Sequence, residues 1–419
     1  HTMFSSLWRK AAPRCILTTQ RGLSPSLMSR FYSTNYLNSY MDTGLSDEQK
    51  EMQSMAHDFA MNSFYPNASK WDSDKYFPIE AMREAASLGF GGVFVSDEYG
   101  GSGLSRVDGS IIFEQLAMGD TSTTAYITIH NMCAWMLDRF GNEQQKQKYL
   151  PDLCSMDKFA SYCLTESSAG SDAASLKTRA VKKGDKYILN GEKMFISGAG
   201  ASEVYLIMAR TGEEGAKGIS CFVVEKGFKG ISFGKNEPKL GWNTQPTRTV
   251  ILEDCEVPAE NLLGTEGQGF KVAMMGLDGG RLSIGTCSLG AAQQCFNLAR
   301  DYTKQRKQFG RSISSFQHTE FKLADMSTSL ETSRLLLRAA AHALDTNAPD
   351  KTMKCAMAKK YATERGFEVC NEALQLHGGY GYLKEYPIER YLRDVRVHTI
   401  LEGTNQIQSK IMARELLKE

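Results

Sequence analysis

The chain has 419 residues, 42% hydrophobic and 23% charged, with a formal net charge of +1. That is globular composition, not that of a disordered chain, and the near-neutral balance gives no sign of a nucleic-acid binder. The length exceeds what one hydrophobic core usually organises, so two or three domains or layers are expected.

The ten cysteines are scattered without a C-x-x-C, and the seven histidines add no zinc spacing. They read as buried or free thiols in a reducing compartment, with no metal site. No apolar run approaches the roughly 18 to 20 residues that a membrane-spanning helix needs. Residues 1–41 carry Arg9, Lys10, Arg14, Arg21 and Arg30 among many Ser and Thr, and the first acid is Asp42. Such a leader reads as a mitochondrial transit peptide, with a basic tail as the alternative. Arg30-Phe31-Tyr32-Ser33 predicts processing at or shortly after Ser33. His1-Thr2 ahead of Met3 are set aside from the fold.

From 42 to 155 the pattern is helical. Ser46-Asp47-Glu48-Gln49 is a capping box, followed by Met52, Met55, Phe59 and Ala60 at helical spacing. A second helix is predicted from Pro78 to Gly89, and a long apolar stretch runs from about Ser110 to Phe140. From 156 to 268 the periodicity becomes that of strands. Tyr187-Ile188-Leu189 precedes Asn190-Gly191, a tight-turn signal. Val204 to Met208, Ile219 to Val224 and Thr249 to Leu252 are further strands, the last closed by Glu253-Asp254 and Pro258. A small β-barrel or sandwich is expected. From 269 to 419 helices return, with one apolar stripe through Leu323, Met326, Leu330, Leu337, Ala341 and Leu344. Another helix, from Thr352 to Leu376, stops at His377-Gly378-Gly379. The order is helical, β, helical.

Five segments carry candidate chemistry, each with a bland alternative. Tyr162-Cys163-Leu164-Thr165-Glu166 leads through small residues to Ser171-Asp172; such a loop admits a ligand close to backbone, or is only a turn. Phe195-Ile196-Ser197 pairs a ring that can stack on a planar heterocycle with a hydroxyl, or is only a strand end. Arg306-Lys307-Gln308-Phe309-Gly310 is a basic turn between helices, suited to phosphate or to a helix dipole. Gln375-Leu376-His377-Gly378-Gly379 has more glycine than a cap needs. Glu402, between Ile400-Leu401 and Gly403-Thr404, is a carboxylate whose pKa burial would raise toward that of a base, or a helix-start acid.

Taken together, these segments resemble the acyl-CoA dehydrogenase family. The Leu-Thr-Glu…Gly-Ser-Asp loop, the Arg-Lys-Gln-Phe-Gly turn, the Gln-x-x-Gly-Gly-x-Gly-Tyr segment and the Arg-Asp-x-Arg…Glu-Gly-Thr segment occur in the family's order, from Leu45 to the C-terminus. The resemblance implies an N-terminal helical domain, a central β-domain and a C-terminal four-helix bundle, assembled as a homotetramer. It implies FAD, with Tyr162, Cys163, Leu164, Thr165, Glu166 and Ser171 along the flavin and Phe195, Ile196 and Ser197 flanking its ring. Arg306, Phe316 and Gln317, with Gln375, Leu376, His377, Gly378 and Gly379, would meet the FAD of a neighbouring subunit. Thr404, Asn405 and Gln406 would lie near the cofactor. Ser171, Asp278, Gly279, Gly280, Arg281 and Arg414 would contact acyl-CoA. The loop after Glu166 departs from relatives, reading Ser167-Ser168-Ala169 where they carry Pro-Gly-Ser.

The resemblance assigns the catalytic base to Glu402. Relatives of the isovaleryl type place it just before the Arg equivalent to Arg281, a position held here by Gly280. The implied reaction is α,β-dehydrogenation of a short acyl-CoA in the mitochondrial matrix, with electrons passed to electron-transfer flavoprotein. The stretches Ser122-Thr123-Thr124-Ala125-Tyr126, Ile129 to Trp135 and Gly241-Trp242-Asn243 resemble members that act on isobutyryl-CoA in valine breakdown. A straight short-chain or 2-methyl-branched substrate is the alternative. An acyl-CoA oxidase, whose chains usually carry a further C-terminal domain, is the other; oxygen consumption separates it.

Overall fold

The structure, a computed structural model, describes residues 44–418. The leader, with its expected processing site, lies outside the described residues. From Leu45 onward the chain forms one compact unit.

The first third is helical, and local chemistry sets most of its ends. Helix α1 (Asp47–Phe59) begins at the Ser46–Gln49 capping box and passes through a π-turn into α2 (Tyr65–Asp74). Helix α3 (Ile79–Ser87) follows Pro78 as expected. The apolar stretch after Ser105 is two helices, α4 (Arg106–Gly119) and α5 (Thr121–Phe140). Asp120 divides them, because its extended backbone ends one helix while its carboxylate caps the next at Thr123 N. Helix α6 (Glu143–Cys154) starts at another capping box, Asn142–Gln145.

The middle is a sheet of β1 (Ala160–Cys163), β2 (Arg179–Lys183), β3 (Lys186–Ser197), β4 (Val204–Arg210), β5 (Ile219–Glu225), β6 (Ile231–Phe233), β7 (Thr247–Pro258) and β8 (Leu262–Leu263). Their order is β6-β7-β3-β2-β4-β5-β8, with β1 parallel to β4. Two turn expectations fail here. Strand β3 runs straight through Asn190-Gly191, and the hairpin turn is at Gly184, φ 63°. Gly191 instead marks a register shift against β7, where a Cβ would come within 2.6 Å of Thr178 Oγ1. Likewise β7 continues past Glu253-Asp254, since Asn190 Oδ1 accepts from Asp254 N across the strands.

The last third holds α7 (Gly269–Gln305), the short hairpin β9 (Lys307–Gln308) and β10 (Arg311–Ser312), α8 (Gln317–Asp345), α9 (Lys351–His377), α10 (Ile388–Arg396) and α11 (Asn405–Leu416). Leu289, Ala292, Leu330, Leu337, Ala362 and Val369 form its buried core. Two contacts fix the outer helices to it. Arg334 of α8 donates to Glu114 of α4 at 2.8 Å inside the core. Asp345, at the end of α8, accepts from the amides of Arg106 and Val107, placing a carboxylate at the positive end of α4.

Candidate active site

Strand β1 carries the first candidate segment. His130 fixes it: Nδ1 accepts from Ala160 N at 3.1 Å while Nε2 donates to Leu153 O at 2.9 Å. Burial pulls this imidazole down to about 4, so it stays neutral. Cys163 and Leu164 are buried, and Thr165 is half-buried. The Tyr162 hydroxyl is buried without a hydrogen-bond partner. Glu166 acts within the domain. Its carboxylate takes Lys193 at 2.7 Å and the amides of Lys177 and Thr178, and its own amide and carbonyl pair with Ala169. That short bridge is the course taken by the Ser167-Ser168-Ala169 loop. Ser171 is exposed beyond it.

At the end of β3, Ile196 is buried while Phe195 keeps 64% of its surface exposed at a left-handed φ of 60°. The Ser197 carbonyl accepts from Ser161 Oγ at 2.6 Å, which ties this strand end to β1. The left-handed backbone presents a bare ring of the kind on which a planar heterocycle can stack.

Glu402 lies in the turn before α11, also left-handed at φ 55°, followed by Gly403 at φ 82°. Gln408 Nε2 holds both carbonyls of this turn, at 2.9 and 2.8 Å. Glu402 Oε2 has no hydrogen-bond partner. Burial pushes the carboxyl up to about 7, against the pull of the Arg281 and Lys359 cations. On α7, Gly280 makes the room: a Cβ there would come within 2.5 Å of Glu402 Oε2. Next to it, Arg281 NH1 donates to Asp278 Oδ1 at 2.6 Å, Thr352 bonds the other Asp278 oxygen, and Arg281 Nε is a third buried polar atom without a partner.

The C-terminal candidates separate into two places. Arg306, Gln375, Leu376, His377, Gly378 and Gly379 line one cleft, in which the Arg306 guanidinium lies 5.5 Å over the Tyr380 ring. No strand of the central sheet contributes to its lining. Phe316 stacks beneath Arg311, and Gln317 is exposed at the start of α8. Thr404 caps α11 at Ile407 N, Asn405 is buried behind Glu402, and Gln406 is exposed. Arg414 is not among them. It lies on the surface beside Glu415, about 14 Å along the helix axis from Asn405.

Several residues of the site carry no sequence signal of their own. Lys359 is fully buried behind the Glu402 turn. Arg106 lies against Gly279, with its guanidinium over Phe94 at 4.0 Å and Trp135 at 4.7 Å. His398 accepts from Trp242 Nε1 and meets Ser288 Oγ at 2.6 Å. Two stretches remote in sequence also meet: Thr244 Oγ1 donates to Ser122 Oγ at 2.6 Å and Gln245 Nε2 to the Ser122 carbonyl. Gly241-Trp242-Asn243 docks at the same corner, through Asp394 Oδ1 and Asp72 Oδ1.

Models of the N-terminal, middle and C-terminal domains of acyl-CoA dehydrogenase match residues 46–157, 161–255 and 267–417. The chain belongs to the acyl-CoA dehydrogenase family. It is 59% identical over 377 residues to the mitochondrial isobutyryl-CoA dehydrogenase of Dictyostelium discoideum, covering 90% of this chain and 91% of that one. It is 57% identical to the corresponding Bos taurus protein, covering 90% of each. The solved butyryl-CoA dehydrogenase of Megasphaera elsdenii superposes with a TM-score of 0.87 at 38% identity, covering 89% of this chain and 99% of that one. The family is FAD-dependent, and the residues present fit that cofactor. Phe195 is bare, and Tyr162, Arg281 and Glu402, which act electrostatically on one another, each keep a buried polar atom without a partner.

Proposed function

We propose that this enzyme oxidises isobutyryl-CoA to methacrylyl-CoA in the mitochondrial matrix, with Glu402 as the α-proton base. The observation that carries the assignment of the base is the Glu402 carboxylate itself. It is buried, unbonded at Oε2, raised to about 7, and given its space by Gly280. A general base works best with a pKa near the operating pH. Burial alone supplies that here, and the two nearby cations keep the shift from going further.

The residues 162–165 and 171, Phe195 to Ser197 and Thr404 to Gln406 are proposed to hold FAD. That cofactor supplies the acceptor for the hydride that leaves the β-carbon. Glu402 takes the α-proton onto Oε2, and the electrons of that C–H bond become part of the new double bond. The Glu402 amide makes no hydrogen bond within the described residues, so it is free to donate to the thioester oxygen as charge develops there. Asp278, Gly279, Gly280 and Arg281 are proposed to line the acyl-CoA path, with Ser171 and Arg414 further out. Bound thioester excludes water from Glu402, which keeps the carboxylate poorly solvated and reactive.

The cleft of Arg306 and Gln375–Gly379, with Phe316 and Gln317, is proposed to serve the FAD of a neighbouring subunit in a homotetramer. Its lining comes from the C-terminal domain alone, which supports a role outside the chain's own flavin site. Electron-transfer flavoprotein is the proposed partner that takes the electrons onward.

The acyl preference rests on the 59% and 57% identities to isobutyryl-CoA dehydrogenases. One methylene changes binding by only about 1–3 kcal/mol, so slower turnover of propionyl-, butyryl- and 2-methylbutyryl-CoA is expected. Measuring kcat/KM across these thioesters with an artificial acceptor tests the assignment. Higher efficiency with butyryl- or 2-methylbutyryl-CoA overturns the substrate and leaves the dehydrogenase standing.

A further inference from the structure

Lys359 is a buried cation that takes no direct part in the bond changes above. It projects from the middle of α9 and is 0% exposed. Its Nζ donates to the Gly403 carbonyl at 2.9 Å and to Asn405 Oδ1 at 2.9 Å. Asn405 is fixed in turn by donating to Thr363 Oγ1, one helical turn beyond Lys359. Gly403 follows Glu402 directly, and both hold left-handed backbone. A left-handed Glu is strained, so the surrounding structure must hold it. Lys359 and Gln408 are the side chains that grip the Gly403 carbonyl.

The charged and titratable groups facing Lys359 come from four elements. Glu402 faces it from the turn, Arg281 from α7, Glu364 from its own helix and His398 from the turn before Glu402. His398 is buried and held neutral. Glu364 already receives Lys360 through both oxygens, at 3.0 Å each. Glu402 is therefore the carboxylate left to balance Lys359.

We propose that Lys359 is a positioning residue for the dehydrogenation: its ammonium clamps the Gly403 carbonyl and sets the pH at which the neighbouring Glu402 becomes a working base. The inference rests on Glu402 being that base. The titration of the two groups agrees with it. Burial pulls Lys359 down to about 7, with Glu402 drawing it back up, and Glu402 itself is raised to about 7. Each charge therefore favours the charged form of the other.

The test compares holoenzymes of wild type, Lys359→Gln, Lys359→Met and Lys359→Arg through the pH dependence of kcat/KM, which reports free-enzyme ionisation. Removing the cation should move the acid limb upward by about one pH unit or more, with the rate recovering at higher pH. Lys359→Arg keeps the charge and should keep the limb. Gln408→Leu loosens the same turn without changing charge, so it should lower kcat at every pH and leave the limb in place. Lys359→Gln retains an amide donor beside the Gly403 carbonyl, so it decides the matter if Lys359→Met does not fold. A limb in Lys359→Gln that coincides with wild type, while Glu402→Gln abolishes flavin reduction, overturns this inference alone. Normal flavin reduction by Glu402→Gln overturns the base assignment and this inference with it.

Discussion

Glu402 Oε2 lies 2.5 Å from the point where a side chain on Gly280 would begin. The obstacle is the far end of a flexible side chain rather than backbone, so the protein can absorb a methyl group there by moving the carboxylate. Gly280→Ala should therefore fold with little change in Tm and still bind FAD. Its kcat should fall by about a hundredfold, because a displacement near 1 Å of a reacting group costs that much. Stopped-flow reduction of the bound flavin measures it. Unchanged kcat would show that the carboxylate works from a different place.

Glu402→Gln preserves shape and removes the proton acceptor. FAD content and acyl-CoA binding should persist while flavin reduction falls by about 10²–10⁴-fold or more. Rapid-mixing absorbance under anaerobic conditions checks both. Near-normal reduction would assign the base elsewhere.

The pH dependence has a definite sign. Only the carboxylate form of Glu402 accepts a proton, and burial has raised its ionisation from 4.5 to about 7. In wild type, kcat/KM should therefore rise with pH through about 7 and decline steadily below it. A profile flat from about pH 5 to about pH 9 would mean that the free enzyme's Glu402 is already fully ionised at the lower end.

Lys193→Met should destabilise the central sheet. Lys193 is 0% exposed and meets Glu166, itself 6% exposed, at 2.7 Å. Removing one partner leaves a buried carboxylate with only the amides of Lys177 and Thr178, and such losses cost about 3–5 kcal/mol. Thermal unfolding should show a clearly lower Tm. A Tm equal to wild type would mean that these two amides alone satisfy Glu166.

Much of the fold was legible because its signals are local. The Ser46–Gln49 box caps α1, the glycines after His377 end α9, and Arg306–Gly310 turns between α7 and α8. Each depends on residues a few positions apart, and such side-chain to backbone bonds form in any context. The Asn190-Gly191 signal was misread for the same reason: a glycine suits both a tight turn and a bulge. Only the partner strand β7 and the closeness of Thr178 decide between them.

By itself the sequence determined the order of helical, β and helical segments and the family, and it picked out Glu402 from a resemblance in linked motifs. Tertiary structure alone decided what suits Glu402 to the proposed role of base. Gly280 and Arg281 arrive from α7, Lys359 from α9 and Tyr162 from β1, positions separated by up to hundreds of residues. Lys359 shows the difference most clearly. In sequence it is one of two adjacent lysines on a helix. Packing buries it, leaves Lys360 paired with Glu364, and turns its ammonium onto the Gly403 carbonyl. A pKa depends on dielectric surroundings and on charges a few ångströms away, and neither exists until the chain has folded.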